Sequence, residues 1–237
     1  MKNMFLSFGL LVLCMGPFNA TAQIKNKMEA KEFSEFFQQQ NCSFETTGKN
    51  EYFILEPGYQ LVLEGIEDAK QVRLIITVLN ETKLIGNVET RIVEENESVN
   101  GKTAEISRNY YAFCKQTGSI HYFGEEVDIY NDDGKVVSHN GAWIAEGKNR
   151  AGVMMPGLLL LGSRYYQEIA PDIAMNRAEI ISTSGIKETT LGKFSHILII
   201  EESTPLEPKR KVYKFYAPGI GLINGGNLLL VKYGPVK

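Results

Sequence analysis

With 237 residues, 43% of them hydrophobic and 22% charged, the chain suits one sizeable β domain or two small ones and is too short for a large multidomain enzyme. Its formal net charge of −3 excludes the broad cationic field of a nucleic-acid-binding protein, because neutralising phosphates takes clustered Lys and Arg. A content of 22 Gly, 11 Tyr and 12 Phe favours turns and pleated strands over long helices.

At the start of the chain, Lys2 precedes an apolar run from Met4 to Phe18, and Ala20-Thr21-Ala22 supplies the small residues that a signal peptidase reads. The pattern predicts a signal peptide over 1–22, cleavage before Gln23, and an exported protein, periplasmic or secreted. The apolar run is shorter than the ~20 residues that cross a bilayer, and Leu13 before Cys14 breaks the small-residue pattern of a lipoprotein signal. The next apolar run, Val153 to Leu161, is interrupted by Pro156-Gly157, so no transmembrane segment is expected in the mature chain. Loss of Cys14 with the leader leaves Cys42 and Cys114 in an oxidising compartment. They form either one disulfide or two unpaired thiols, and the spacing leaves both open.

Residues 23–51 read as a polar N-terminal segment with one short helix. Over Glu29–Gln40, Ala30, Phe33, Phe36 and Phe37 fall on one face and Glu29, Lys31, Glu32 and Glu35 on the others. From Tyr52 the punctuation changes to Val-, Ile-, Tyr- and Thr-rich runs bounded by Gly, Asn and Asp, which predicts strands. These are Gln60–Gly65, Val72–Asn80, Val88–Glu95, Thr103–Lys115, Ile120–Phe123, Val127–Asn131, Val136–His139, Tyr165–Ile169, Ala178–Ser184, Ser195–Glu202, Lys211–Tyr216 and Leu228–Val231. Asn131-Asp132-Asp133-Gly134, Ser184-Gly185, Leu191-Gly192-Lys193 and Asn224-Gly225-Gly226 supply turn chemistry between them. The fold class is therefore mainly β, a single domain over 52–237, with an antiparallel meander of about a dozen strands curling into an open or closed barrel.

Gly141 to Gly162 stands apart. It holds the only tryptophan, Trp143, a Lys148-Asn149-Arg150 stretch, and a Met154-Met155-Pro156-Gly157 step followed by four leucines. It reads as a long irregular connection, either a lid over a pocket or a loop that plugs one end of the barrel.

No His-Glu-x-x-His, Cys-x-x-Cys, Gly-x-Ser-x-Gly or phosphate-loop pattern occurs, so no cofactor or metal is called for. Ser184 to Lys187 has Ser-x-x-Lys spacing but coincides with a predicted turn. Gly219-Ile220-Gly221 lacks a third glycine and reads as a bend between strands. Alternation places Glu126 and Asp128 on one face, where two carboxylates share a proton or bind a hard cation. The EF-hand spacing fails at Tyr130, and a solvated acidic strand end fits the pattern as well.

The segment Tyr122-Phe123-Gly124-Glu125-Glu126-Val127-Asp128 resembles a family of uncharacterised exported bacterial β-rich proteins. Its other motifs have counterparts in Gly141-Ala142-Trp143, Met155-Pro156, Tyr165-Tyr166-Gln167-Glu168, Thr204-Pro205-Leu206-Glu207-Pro208 and Tyr216-Ala217-Pro218-Gly219-Ile220-Gly221-Leu222. The resemblance runs from about Tyr52 to Gly234. Lys209 and Asp172 stand where the family pattern has glycine. More distantly, the arrangement is similar to the half-barrels of periplasmic lipoprotein carriers, which implies a curved sheet around an apolar cavity.

Three functions are compatible with these features. The first is a non-enzymatic exported protein that binds a lipid-like or other small apolar or amphipathic ligand through Trp143, Met154, Met155, Tyr165 and Tyr166. The second is a metal- or carboxylate-dependent hydrolase that gathers Glu126, Asp128, His139 and Glu168 at one end of the sheet. The third is a structural module that docks an envelope protein through an exposed apolar patch.

Overall fold

The computed structural model describes residues 32–236; the predicted leader and residues 29–31 of the predicted helix lie outside them. The described chain runs through β1 (Phe44–Glu45), β2 (Gly48–Lys49), β3 (Ile54–Leu55), β4 (Tyr59–Glu67), β5 (Lys70–Ile85) and β6 (Val88–Val99). It continues through β7 (Lys102–Cys114), β8 (Ser119–Tyr130), β9 (Val136–Ser138), β10 (Trp143–Ile144), β11 (Arg150–Met155) and β12 (Arg164–Tyr166). The last six strands are β13 (Glu168–Ile169), β14 (Arg177–Thr189), β15 (Gly192–Thr204), β16 (Glu207–Ala217), β17 (Gly221–Gly225) and β18 (Leu228–Pro235).

All but β2 and β3 belong to one antiparallel sheet in the order β12-β14-β15-β16-β17-β18-β4-β5-β6-β7-β8-β11-β13, with β1, β9 and β10 attached to its flanks. Most neighbours are consecutive hairpins, and the return pairing of β18 with β4 joins the two halves. The two ends of this path, β12 and β13, are separated in the chain by Gln167 alone. The sheet is thus nearly closed into a barrel, which removes the free edges that a long flat sheet would expose. No helix among the described residues is long and apolar enough to cross a membrane.

The predicted helix is not present. Among the described residues the only helical element is a 3₁₀ turn at Gln39–Asn41, and residues 32–37 run extended against the barrel wall. Ser34 N–H donates to Arg164 O at 3.0 Å and Ser34 O accepts from Tyr166 N–H at 2.9 Å. The phenylalanines that would have shared a helix face bind separate sites instead. Phe33 lies 6.1 Å from the Tyr166 ring and under the Arg177 guanidinium, while Phe36 meets Arg150. A free helix of this length is marginal in water, and the β12 edge offers the same backbone a bridge at Ser34.

Three further expectations change. Ile120–Phe123 and Val127–Asn131 are a single strand, β8, bent at Gly124 with φ +131°. A Cβ on Gly124 would lie 2.3 Å from Trp143 O, so the glycine marks a close backbone approach inside a strand. Ser184-Gly185 is an irregularity inside β14, and the hairpin turns later, at Thr190 and Leu191. Gly141 to Gly162 is not one irregular connection, because β10 pairs with β8 and β11 lies between β8 and β13. The links at 141–142 and 145–149 are short, and the longest irregular stretch follows Met155, with Leu158, Leu160 and Leu161 exposed.

Period-2 alternation fills the barrel. One interior cluster contains Tyr111, Tyr122, Trp143, Met155, Tyr165 and Tyr216, and a second contains Leu61, Leu63, Ile197, Ile223 and Leu230. On the outer wall, Tyr110, Ala112, Phe123 and Ala151 form a third cluster packed by Phe44 of the N-terminal strap. Cys42 and Cys114 are bonded across a Cα–Cα distance of 5.2 Å and staple that strap to β7.

Candidate functional site

Residues opposite one another in an antiparallel pair project from the same face. The registers Val93↔Asn109, Asn109↔Glu125 and Glu125↔Trp143 therefore align one inward row across β6, β7, β8 and β10. The adjacent row begins Glu95↔Ser107, and Glu97 pairs with Glu105 beyond it. From the opposite wall, β15 and β16 bring Glu202 and Lys214 together at 3.0 Å. Gln167, at the seam, donates from Nε2 to Glu202 Oε1 at 3.0 Å, and Asn176 donates to Glu168 Oε1 at 3.3 Å.

The result is an interior group of carboxylates in which Lys214 is the paired cation. Burial, then the neighbouring Glu168 and Glu95, pushes the Glu125 carboxyl up to about 8. Burial, with Glu202 adding to it, raises Glu168 to about 7. Glu95, Glu97 and Glu105 are also raised, with burial the largest cause in each. Lys214 moves upward because the attraction of Glu202 and Glu95 outweighs its own desolvation. Low dielectric strengthens both the repulsion among the acids and the hold on this ammonium.

Beside this group lies a cavity of about 70 Å³, bounded by Tyr52, Phe53, Tyr59 and Met154 and, at its polar side, by Glu95 and Lys214. Tyr52 and Tyr59 are fixed by hydroxyl donation to His196 O at 2.8 Å and Ile220 O at 2.9 Å. Their rings are thus held as rigid walls. A larger concavity, about 780 Å³, is an open groove on the outer wall between the 35–44 strap and the β5–β6 hairpin.

Of the predicted ligand-binding residues, Met154 lines the interior cavity. Trp143, Met155 and Tyr165 are 3%, 0% and 4% exposed and pack within the core. Tyr166 is half-buried against Phe33. Trp143 Nε1 and Tyr165 Oη are buried without a hydrogen-bond partner among the described residues, an arrangement that costs about 1–3 kcal/mol per group.

The predicted acidic and histidine set divides between two faces. Glu126 is outside, ion-paired with Lys83, and its carboxyl is lowered chiefly by that hydrogen bond. Asp128 meets His139 Nδ1 at 3.0 Å and Arg108 at 3.8 Å, also outside. Glu168 is 7% exposed and belongs to the interior group. Glu126, Asp128 and His139 therefore do not share a site with Glu168.

Among the described residues, one His, Cys, Asp and Glu group has donor atoms within mutual metal-binding reach: Cys42, Cys114 and His121. Its two sulfurs are bonded to each other, and burial lowers His121 to about 4, leaving a neutral ring at neutral pH. His121 packs edge-on against Phe44 at 5.2 Å, the environment of a core histidine.

Comparison of the chain with models of known protein families, with curated proteins and with solved structures finds no match in any of the three.

Proposed function

We propose that this chain is a non-enzymatic exported protein that binds a small amphipathic ligand inside its β barrel. The observation that supports the reading is the cavity of about 70 Å³, which has aromatic and thioether walls and a Glu95–Lys214 pole. Ligand sites combine mostly apolar walls with a few fixed polar groups, and this cavity has that composition in miniature. A cavity of about 150 Å³ holds benzene, so the space suits a headgroup or a few heavy atoms rather than a whole acyl chain.

Native mass spectrometry of the gently purified protein tests this. The expected result is a small-molecule adduct that disappears when Val78→Phe fills the cavity, with the circular dichroism of the two proteins unchanged. Bare chain in both proteins would overturn the reading.

A second reading, docking to an envelope partner, is supported by Phe36, Leu158 and Leu160, which are 78%, 73% and 59% exposed around one surface depression. Contiguous exposed apolar side chains of this kind mark interaction surfaces. Photo-crosslinking from Leu158 in the producing cell should trap one protein reproducibly if this reading holds, and a diffuse background would discard it.

A further inference from the structure

Two sulfurs and a ring nitrogen, from Cys42, Cys114 and His121, all lie within 4.8 Å of one another on the outer wall. The register explains how they meet. Ala112 pairs with His121 and Cys114 with Ser119 in the β7–β8 ladder, so Cys114 and His121 are diagonal neighbours on one sheet face. Phe44 of the strap pairs with Cys114, and Cys42, two residues earlier, is bonded to it.

Cysteines are made as thiols, so a dithiol form of the chain precedes the disulfide. The seat of the strap does not depend on the S–S bond alone. Ser43 N–H donates to Gln116 Oε1 at 2.7 Å, Lys115 N–H donates to Ser43 O at 3.1 Å, and Gln116 Nε2 donates to Ser43 Oγ at 2.9 Å. On the other side of Cys42, Gln39 Nε2 donates to Ala151 O at 2.9 Å and lies 3.4 Å from His121 Nδ1. These contacts bracket Cys42 and keep both thiols beside His121 when the bond is open.

Two thiolates and an imidazole are the donor set of a thiophilic ion such as zinc, whereas hard cations such as calcium take oxygen ligands. Around a tetrahedral zinc, with bonds of ~2.3 Å to sulfur and ~2.0 Å to nitrogen, ligand atoms stand ~3.5–3.8 Å apart. Once the S–S bond is open the sulfurs reach that spacing by side-chain rotation, since their Cα atoms are 5.2 Å apart. Cys114 and His121 are buried, but Cys42 lines the open groove on the outer wall. An ion therefore enters from the Cys42 side, and water from the groove completes its coordination.

We propose that the dithiol form of this protein binds one zinc ion through Cys42 Sγ, Cys114 Sγ and a ring nitrogen of His121, so that metal and disulfide are alternative clasps between the strap and the barrel wall. Binding exchanges two thiol protons for one Zn²⁺. Oxidation by an external disulfide reverses it: the Cys42–Cys114 bond forms, the external S–S bond takes the two electrons and two protons and becomes a pair of thiols, and Zn²⁺ leaves.

Cobalt(II) is the probe, because four-coordinate cobalt absorbs strongly in the visible and a bound thiolate adds a charge-transfer band in the near ultraviolet. The full protein is reduced with a phosphine, freed of reductant without air, and titrated with Co²⁺ beside the oxidised protein. Both bands should saturate at one ion per reduced chain, bleach with one equivalent of Zn²⁺, and be absent from the oxidised chain. His121→Phe keeps an aromatic ring against Phe44, and its fold is checked by circular dichroism in the disulfide form. Reduced, it should bind Co²⁺ more weakly by about tenfold or more, while His139→Ala binds as wild type does. Zinc should raise the melting temperature of the reduced wild type and leave that of the oxidised protein unchanged.

A reduced protein without the charge-transfer band would overturn the site, whether or not the reduced chain stays folded. Equal affinity in wild type and His121→Phe would overturn it too, because the ion would then be held by the two thiolates without the wall of the barrel.

Discussion

Glu125→Gln isolates the cost of the interior charge. The Glu125 carboxyl titrates near 8 in the folded chain against an ordinary value of 4.5, because burial and then Glu168 and Glu95 oppose its ionisation. Each pH unit of such a displacement corresponds to about 1.4 kcal/mol, which sets a ceiling of about 5 kcal/mol. Glu125 is only partly shielded from solvent, which screens part of this, and roughly 2 kcal/mol is the expected net effect.

The sign follows from proton counting. Below pH 4.5 both the folded and unfolded chains hold the proton, and wild type and variant should respond alike. Between 4.5 and 8 the unfolded chain has lost the proton and the folded chain has kept it, so wild-type stability falls as pH rises. Above 8 the full penalty is present. Differential scanning calorimetry from pH 4 to pH 9 should therefore show the two melting temperatures diverging, with the variant higher by about 4–8 °C at the alkaline end. The variant should keep a shallower slope from Glu168, whose own carboxyl moves downward once Glu125 is neutral. Parallel curves across this range would refute the reasoning, because they would mean that Glu125 faces water in the folded chain.

Three other outcomes are expected. Replacing both Cys42 and Cys114 by Ser opens a link between residues separated by 72 in sequence, a loss of about 4 kcal/mol on loop entropy; a calorimetric change under about 1 kcal/mol would show that the strap is held without it. Gly124→Ala should destabilise by at least about 2 kcal/mol, since it puts a side chain at φ +131° and 2.3 Å from Trp143 O; chemical denaturation with an unchanged midpoint would contradict the bend in β8. His139→Ala removes an exposed contact to Asp128 and should alter stability by less than about 1 kcal/mol, while leaving adduct binding unaltered in native mass spectrometry; a lost adduct would return this outer cluster to candidacy.

The strands were legible where alternation and β-branching coincide. Val72–Asn80, Thr103–Lys115 and Lys211–Tyr216 all lie within or overlap observed strands, because these runs combine β-branched and aromatic residues and contain no Gly or Pro. β11 was not legible. Arg150-Ala151-Gly152-Val153-Met154-Met155 has one β-branched residue, and its Gly152 is required because a Cβ there would lie 2.3 Å from Gln167 O. β17 hides for a related reason, since Gly221 and Gly225 bracket a strand with residues that read as turn formers.

The predicted helix failed because its 3.6-residue pattern competes with a sheet edge that no local window contains. The interior acids escaped notice because strands such as Glu94-Glu95-Asn96-Glu97 are polar on both faces, and composition does not say which face turns inward. One signal was available: Val93, Glu95 and Glu97 continue a single face, so an apolar position at one end of the strand assigns the acids beyond it to the interior.

Barrel closure and the interior group depend on the same residue. Gln167 is the only link between β12 and β13, and its N–H donates to Asn176 O at 2.8 Å while the Glu168 N–H reaches the same oxygen at 3.1 Å. Its side chain, 1% exposed with the residue as a whole, turns inward to Glu202 and to the Met154 carbonyl at the cavity wall. Any widening of the seam would therefore move a hydrogen-bond donor away from Glu202, the partner of Lys214, and let water reach Glu168 next in the chain. Opening of the seam and hydration of the acids are then one event, because hydration removes the desolvation that raises those carboxyls. A barrel with an apolar interior would gain nothing electrostatically by opening. This one does, increasingly so as pH rises through 7 and 8.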